Sequence, residues 1–296
     1  MVEPLELHSD STLHLFLDVE PGQVVLAVER GDVEEGRVRV EHRDEVVVEL
    51  GREAEPLDDP QPAVDTGEAA AVVAFGHILR PEALVIPPLG CINAHGSLLP
   101  KLRGAAPIAW AVINGEKVSG VTTMLLDSGM DTGPMLLRRE VALAPDETAG
   151  SLHDKLAPVA AELLVETLAK IVAGTVSPQP QDGSQATIAP MLKKEDGRID
   201  WTRPAAEIER RVRGLNPWPG SYTGMNGETL KVIRVKVEAG KRGAAGEVLA
   251  CDKEGILVAA GEGAVRLVEI QPPGKKAMDA CSWLSGHCLQ TGRRFN

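Results

Sequence analysis

Cysteine is scarce in this chain, and its placement excludes more than its number does. Cys91, Cys251, Cys281 and Cys288 are the only four among 296 residues, and none is spaced as a CxxC pair. Disulfide frameworks and thiolate metal sites use paired thiols, so reduced structural thiols are expected. His287 beside Cys288 lacks the spacing of a zinc site, and no metal is expected. Long apolar runs are missing too: no stretch approaches the roughly 18 uninterrupted apolar residues of a membrane helix. The first 25 residues also lack the basic-then-apolar plan of a secretion signal. A soluble cytoplasmic protein with no membrane partner follows as the expectation. Nucleotide and hydrolase signatures are absent as well. GEGAVR (261–266) lacks the third glycine of a dinucleotide turn, and there is no phosphate loop and no GxSxG elbow. Dehydrogenase, kinase and serine hydrolase are left without support.

Positive charge is short at one end only. The chain carries 31 Lys+Arg against 43 Asp+Glu, a net charge of −12, and residues 1–70 alone hold 19 acids and 5 arginines. The remainder is therefore close to neutral. From residue 201 onward 15 Lys+Arg face 10 Asp+Glu, an excess that suits phosphate contact without requiring it. Residues 1–70 also contain no Lys, Ile, Asn, Tyr, Cys or Trp, while Val, Glu, Asp, Gly and Ala supply 41 of the 70. The codons of those five types all begin with G, so GC-rich coding DNA read in a shifted frame would produce such a segment. RVRVEHRDEVVVEL (37–50) alternates as strands do, yet no strand–helix alternation accompanies it. The expectation is an atypical segment, a frame-shifted part of the first domain, with an evolved acidic extension as the alternative.

From residue 71 the text changes. Strands are predicted over AVVAFG (71–76), CINAH (91–95), GVTTMLLD (120–127) and MLLRREVAL (135–143), and helices over 105–116 and 151–174. Ser151 with Asp154 three residues on reads as the N-cap of the second helix, and Gly174 as its stop. This is α/β grammar with a largely parallel sheet. Residues 176–197, rich in Pro, Gly and polar types, read as a linker. Beyond it lie a helix over 205–215 and short strands with turn signals, spaced as in a small β-barrel or meander.

The chemistry concentrates at CINAHGSLLPKLRGAAP (91–107). On a strand, Asn93 and His95 share one face, with Ile92 and Ala94 on the other. A buried amide or imidazole left without a partner costs about 1–3 kcal/mol, so a face spent this way points to the open end of a strand. The loop LLDSGMDTGPML (125–136) adds Asp127 and Asp131, with glycines on both sides of Asp131 that let backbone approach a ligand. Aspartates in such loops commonly form turns instead. Amide, imidazole and carboxylate together suit acyl transfer to an amine: the amide steadies oxyanion charge, the imidazole moves a proton, and the carboxylate orients the imidazole.

NAHGSLLPKLRGAAPI (93–108) followed by GVTTMLLDSGMDTGPML (120–136) resembles the signature of the folate-dependent formyltransferases. The likeness covers residues 71–296. GRIDWTRPAAEIERRVRGLNPWPGSYT (197–223) and QPPGKKAM (271–278) resemble those members that act on methionyl initiator tRNA. The resemblance implies an open Rossmann-like α/β formyltransferase domain over 71–175, a linker over 176–200, and a smaller OB-like β-barrel domain over 201–296 that binds tRNA. It implies Asn93, His95 and Asp131 as catalytic residues, and Ser97, Leu98, Leu99 and Pro100 as the stretch binding the formyl donor, 10-formyltetrahydrofolate. A monomer is expected. The family's first strand, glycine-proline turn and basic tRNA-facing loop are not recognisable in residues 1–70. Two alternatives stay open: an amino-sugar nucleotide as acceptor, or a remnant that binds folate or RNA without turnover.

Overall fold

The structure is a computed structural model that describes residues 24–28 (backbone only), 69–73, 81–225 and 227–296. Apart from 24–28 and 69–70, the reading of residues 1–70 lies outside the described residues. Two compact units are distinguished: one takes residues up to 103, 120–140 and 157–187, the other 104–119, 141–156 and 188–296.

The elements run β1 (Val24–Val28), β2 (Ala69–Val73), α1 (Pro81–Leu84), β3 (Cys91–His95), α2 (Pro107–Asn114), β4 (Val118–Leu125), β5 (Met135–Ala142) and α3 (Ala149–Val172). The strands form one sheet in the order β1-β2-β3-β4-β5. β1 is antiparallel to β2, β2 parallel to β3, and β3 antiparallel to β4, so the sheet is mixed where a largely parallel one was predicted. The helix between β3 and β4, α2, belongs to the other compact unit and packs Ala109 and Ile113 with Leu192 and Leu215, so it does not serve as the crossover helix that a parallel pair needs.

The alternation along β3 divides its side chains as predicted. Ile92 joins Ala69, Ala71 and Leu136 in a core covered by Leu164 and Leu168 of α3. Cys91 packs on the opposite side with Ala70 and Val72. Asn93 and His95, in step with Cys91, therefore lie on the sheet face away from α3.

The start of α3 corrects the sequence reading. Thr148, not Ser151, is the N-cap: its hydroxyl accepts the Ser151 N–H at 3.0 Å, and the Ser151 hydroxyl accepts the Thr148 N–H at 3.0 Å. This is a capping box shifted by three residues, in which serine takes the role usually filled by Glu or Gln. The stop is as predicted. Gly174 adopts φ +65°, its N–H reaches Ile171 O, and Thr175 N reaches Lys170 O.

In the second unit Ala109 and Ile113 of α2 pack with Leu192 and Leu215. The helix α4 (Ala205–Gly214) turns Ala205, Ile208 and Val212 into a core shared with β6 (Ser221–Met225), β7 (Glu228–Glu238), β8 (Val248–Asp252), β9 (Gly255–Ala259), β10 (Ala264–Gln271), β11 (Met278–Asp279) and α5 (Ala280–Leu284). The strand ladder β6-β7-β10-β9-β8 is open, with β11 beside β10. The C-terminal tail supplies backbone to both of its edges. Asn296 exchanges hydrogen bonds with Gly224 on β6, while Phe295 N reaches Gly246 O and Val248 N of β8 reaches Arg293 O. Phe295 is buried there, stacked 5.9 Å from Trp201, whose indole N–H donates to Thr223 Oγ1. The barrel expected from strand spacing is thus an open sheet whose two edges are both bonded to the C-terminal tail, through an isolated antiparallel bridge of Arg294 with Glu247 at one of them.

Candidate active site

His95 ends β3 and is 6% exposed. Its Nε2 lies 2.9 Å from Leu102 O, and a carbonyl can only accept, so Nε2 carries the hydrogen. The remaining nitrogen, Nδ1, faces Asp131 Oδ2 at 3.7 Å. That distance is within ion-pair range and longer than a direct hydrogen bond. Any proton the ring takes up or releases therefore moves at Nδ1, on the carboxylate side. Asn93 sits two residues back on the same face, half-buried between Val72 and Met124 of the neighbouring strands.

The two loop aspartates separate in role. Asp127 accepts from Gly129 N at 3.0 Å and from the Thr132 hydroxyl at 2.7 Å, so its carboxylate is used in shaping the loop. Asp131 is the one that meets His95. It holds φ +53°, a left-handed conformation that aspartate tolerates better than most residues. Gly133 follows where a Cβ would fall 1.9 Å from Leu125 O, so only glycine fits the return of this loop beside β4.

The Ser97–Pro100 turn is held from beneath. Thr122, fully buried on β4, donates to Ser97 O at 2.7 Å and accepts Leu99 N at 3.1 Å. Ser97 donates its hydroxyl to Lys101 O at 2.6 Å, and Leu99 is fully buried. Both side chains are thus used internally. Leu98 and Pro100, half-buried, and the backbone are what this turn presents outward. Cys91, behind the site, has its thiol pushed up by burial, which leaves it a packing group. Among the described residues no cluster of three His, Cys, Asp or Glu could hold a metal ion.

Sequence reasoning missed the supports. Thr122 and Leu102 O hold the turn and the imidazole; both lie inside the 93–108 and 120–136 stretches, but neither residue type announces that role. The first part of the supposed linker is not a free tether: Gln179 pairs with Met135, Gln181 bonds to Asp131 O, and Thr187 accepts from Leu102 N at 2.9 Å. Its Pro- and Gln-rich text has no period because its partners are distant in sequence.

The pattern of the formyl transferase family matches residues 20–168, and that of the formyl transferase C-terminal domain matches residues 191–288. The chain belongs to the formyl transferase family. Its relatives include the methionyl-tRNA formyltransferase of Geobacter sulfurreducens, 50% identical over 224 residues, which cover 76% of this chain and 70% of that protein. That of Heliobacterium modesticaldum is 44% identical over 291 residues, 92% of each. Among solved structures, HypX from Aquifex aeolicus in complex with tetrahydrofolic acid shares the fold at TM-score 0.56 and 20% identity; the match covers 74% of this chain and 38% of that one. The family match begins at residue 20, upstream of the residue 71 at which the sequence reading places the start of the resemblance.

Proposed function

We propose that this chain transfers the formyl group of 10-formyltetrahydrofolate to the amino group of methionyl initiator tRNA, with Asn93, His95 and Asp131 as its catalytic groups. The observation that carries the reading is the His95–Asp131 pair: an imidazole whose Nε2 is committed to Leu102 O and whose Nδ1 faces a carboxylate at 3.7 Å. The acceptor amine attacks the formyl carbon, a C–N bond forms, and the bond to the folate nitrogen breaks. The formyl oxygen gains negative charge on the way, and the Asn93 amide is placed to donate to it. The proton leaving the amine passes to the His95–Asp131 pair and returns to the departing folate nitrogen, so charge balances without a covalent enzyme intermediate. The Ser97–Pro100 turn would meet the folate through its backbone, Leu98 and Pro100, since Ser97 and Leu99 are turned inward.

The acceptor rests on the relatives' names and on the 197–223 and 271–278 stretches. We place the catalytic domain at 71–175, a linker at 176–200 and the tRNA-holding domain at 201–296; the gap between the two family matches, from 168 to 191, supports a division in this region. A monomer acting in the cytoplasm belongs to the same reading. The test is a transfer assay with 10-formyltetrahydrofolate and charged initiator tRNA, read as formylmethionyl-tRNA. Transfer to an amino-sugar nucleotide with none to tRNA would overturn the acceptor. Folate binding without any transfer would overturn the enzyme.

A further inference from the structure

We infer that Gln181, which lies in none of the motifs, is a positioning residue that holds Asp131 against His95; the inference rests on the proposed formyl transfer. A glutamine amide has two N–H donors and a carbonyl oxygen with two lone pairs. All four are used here. Nε2 donates to Asp131 O at 2.8 Å and to Gly133 O at 2.7 Å, while Oε1 accepts from Arg103 Nε at 2.9 Å and Arg103 Nη2 at 2.7 Å. The orientation is dictated by chemistry. Carbonyls only accept and a guanidinium only donates, so the flipped amide would set oxygen against oxygen and N–H against N–H.

The consequence is a closed ring of contacts. Leu102 O fixes the His95 imidazole, the next residue, Arg103, fixes the Gln181 amide, and the amide fixes the backbone on the C-terminal side of Asp131. Asp131 then returns to His95 at 3.7 Å. Thr187 anchors the same pair of residues, accepting Leu102 N at its hydroxyl and Arg103 N at its carbonyl. Both catalytic side chains are thus referred to one dipeptide, 102–103. Gln181 is the link to the side that carries Asp131, a residue held at positive φ in a loop with exposed neighbours.

Gln181→Glu separates this role from simple packing, because a carboxylate keeps the Arg103 contact and loses both donors to the loop. Gln181→Leu removes all four bonds at similar size. A displacement near 1 Å costs on the order of a hundredfold in rate, so both variants should lose roughly ten- to a hundredfold in kcat. KM for 10-formyltetrahydrofolate should stay within about twofold, since no folate contact is touched. Hydrogen–deuterium exchange should quicken over residues 127–133 and stay unchanged over 221–271. Adding Arg103→Met to Gln181→Leu should cost no more than Gln181→Leu alone, as expected of residues acting through one contact. Unchanged kcat with unchanged loop exchange overturns the inference. So does uniformly faster exchange with activity falling only in step with the folded fraction. If the unaltered protein transfers no formyl group, the proposed function fails, and loop exchange in the two variants alone decides the role of Gln181.

Discussion

At His95 the two ring nitrogens are not equivalent, and the difference is set by backbone rather than by another side chain. Leu102 O claims the Nε2 hydrogen, which leaves Nδ1 for the carboxylate. Asn93 has a separate task in the proposed reaction, donation to the developing oxyanion. Asn93→Ala should therefore lower kcat by about 10²–10³ with little change in folate KM, measured in the transfer assay. An unchanged kcat would return Asn93 to a structural role. Gly133 tests the loop by sterics alone. With the new Cβ 1.9 Å from Leu125 O, Gly133→Ala has to push the 131–133 backbone off β4. We expect about 2–3 kcal/mol of lost stability by denaturant titration, with a fall in kcat beyond the loss of folded protein.

At the scale of an element, the first turn of α3 concentrates polar bonding that the apolar pattern of the helix does not show. Glu147, 3% exposed, precedes the cap and accepts from Ala144 N, Ser151 and Lys155, while its own carbonyl accepts from Arg213 at 2.7 Å. Burial pushes its carboxyl up, but the Lys155 ammonium, the Ser151 hydroxyl and the Ala144 N–H together outweigh burial and hold it below the usual carboxylate range. A depressed carboxyl favours the fold above its unfolded titration range and loses that contribution as pH falls through its folded one. Glu147→Gln should accordingly be less stable than the unaltered chain at pH 7, with the gap closing below the ordinary glutamate range. Denaturant midpoints at pH 7 down to 3 check this, and a constant gap would refute it. Thr148→Ala removes the cap itself and should cost about 1 kcal/mol at all these pH values.

At the scale of the molecule, charge is distributed unevenly, and the C-terminal residues carry the basic excess. Lys275 and Lys276 are exposed on the turn after β10, where Lys275 N reaches Pro272 O and Gln271 Nε2 reaches Lys275 O. The turn borders a cleft of about 410 Å³ also lined by Glu228, Thr229 and Lys231 of β7. If this surface meets tRNA phosphates, Lys275→Glu with Lys276→Glu should weaken tRNA binding and flatten its salt dependence by about two in the log–log slope, leaving folate affinity unchanged. Equal loss of both affinities would indicate misfolding. Arg266 shows that positive charge here also has a structural use. It is 7% exposed on β10 and is balanced by Glu238 and by Asp252 at 2.8 Å.

What the sequence determined by itself is what depends on near neighbours. The period of two along CINAH put Asn93 and His95 on one face, Gly174 ended α3 where a left-handed residue was needed, and the 93–136 motifs identified the family. The α3 cap was displaced by three residues because Thr148 and Ser151 bond each other, and either hydroxyl alone reads as a cap. Tertiary structure decided the rest. It seated the Ser97–Leu99 turn on Thr122, set β3 and β4 antiparallel, and made Gln181 of a supposed linker a brace between two loops. Each of these is a contact between residues far apart in the chain. Hydrogen-bond direction and distance there are fixed only when the whole sheet has assembled, and no local pattern of residue types encodes them.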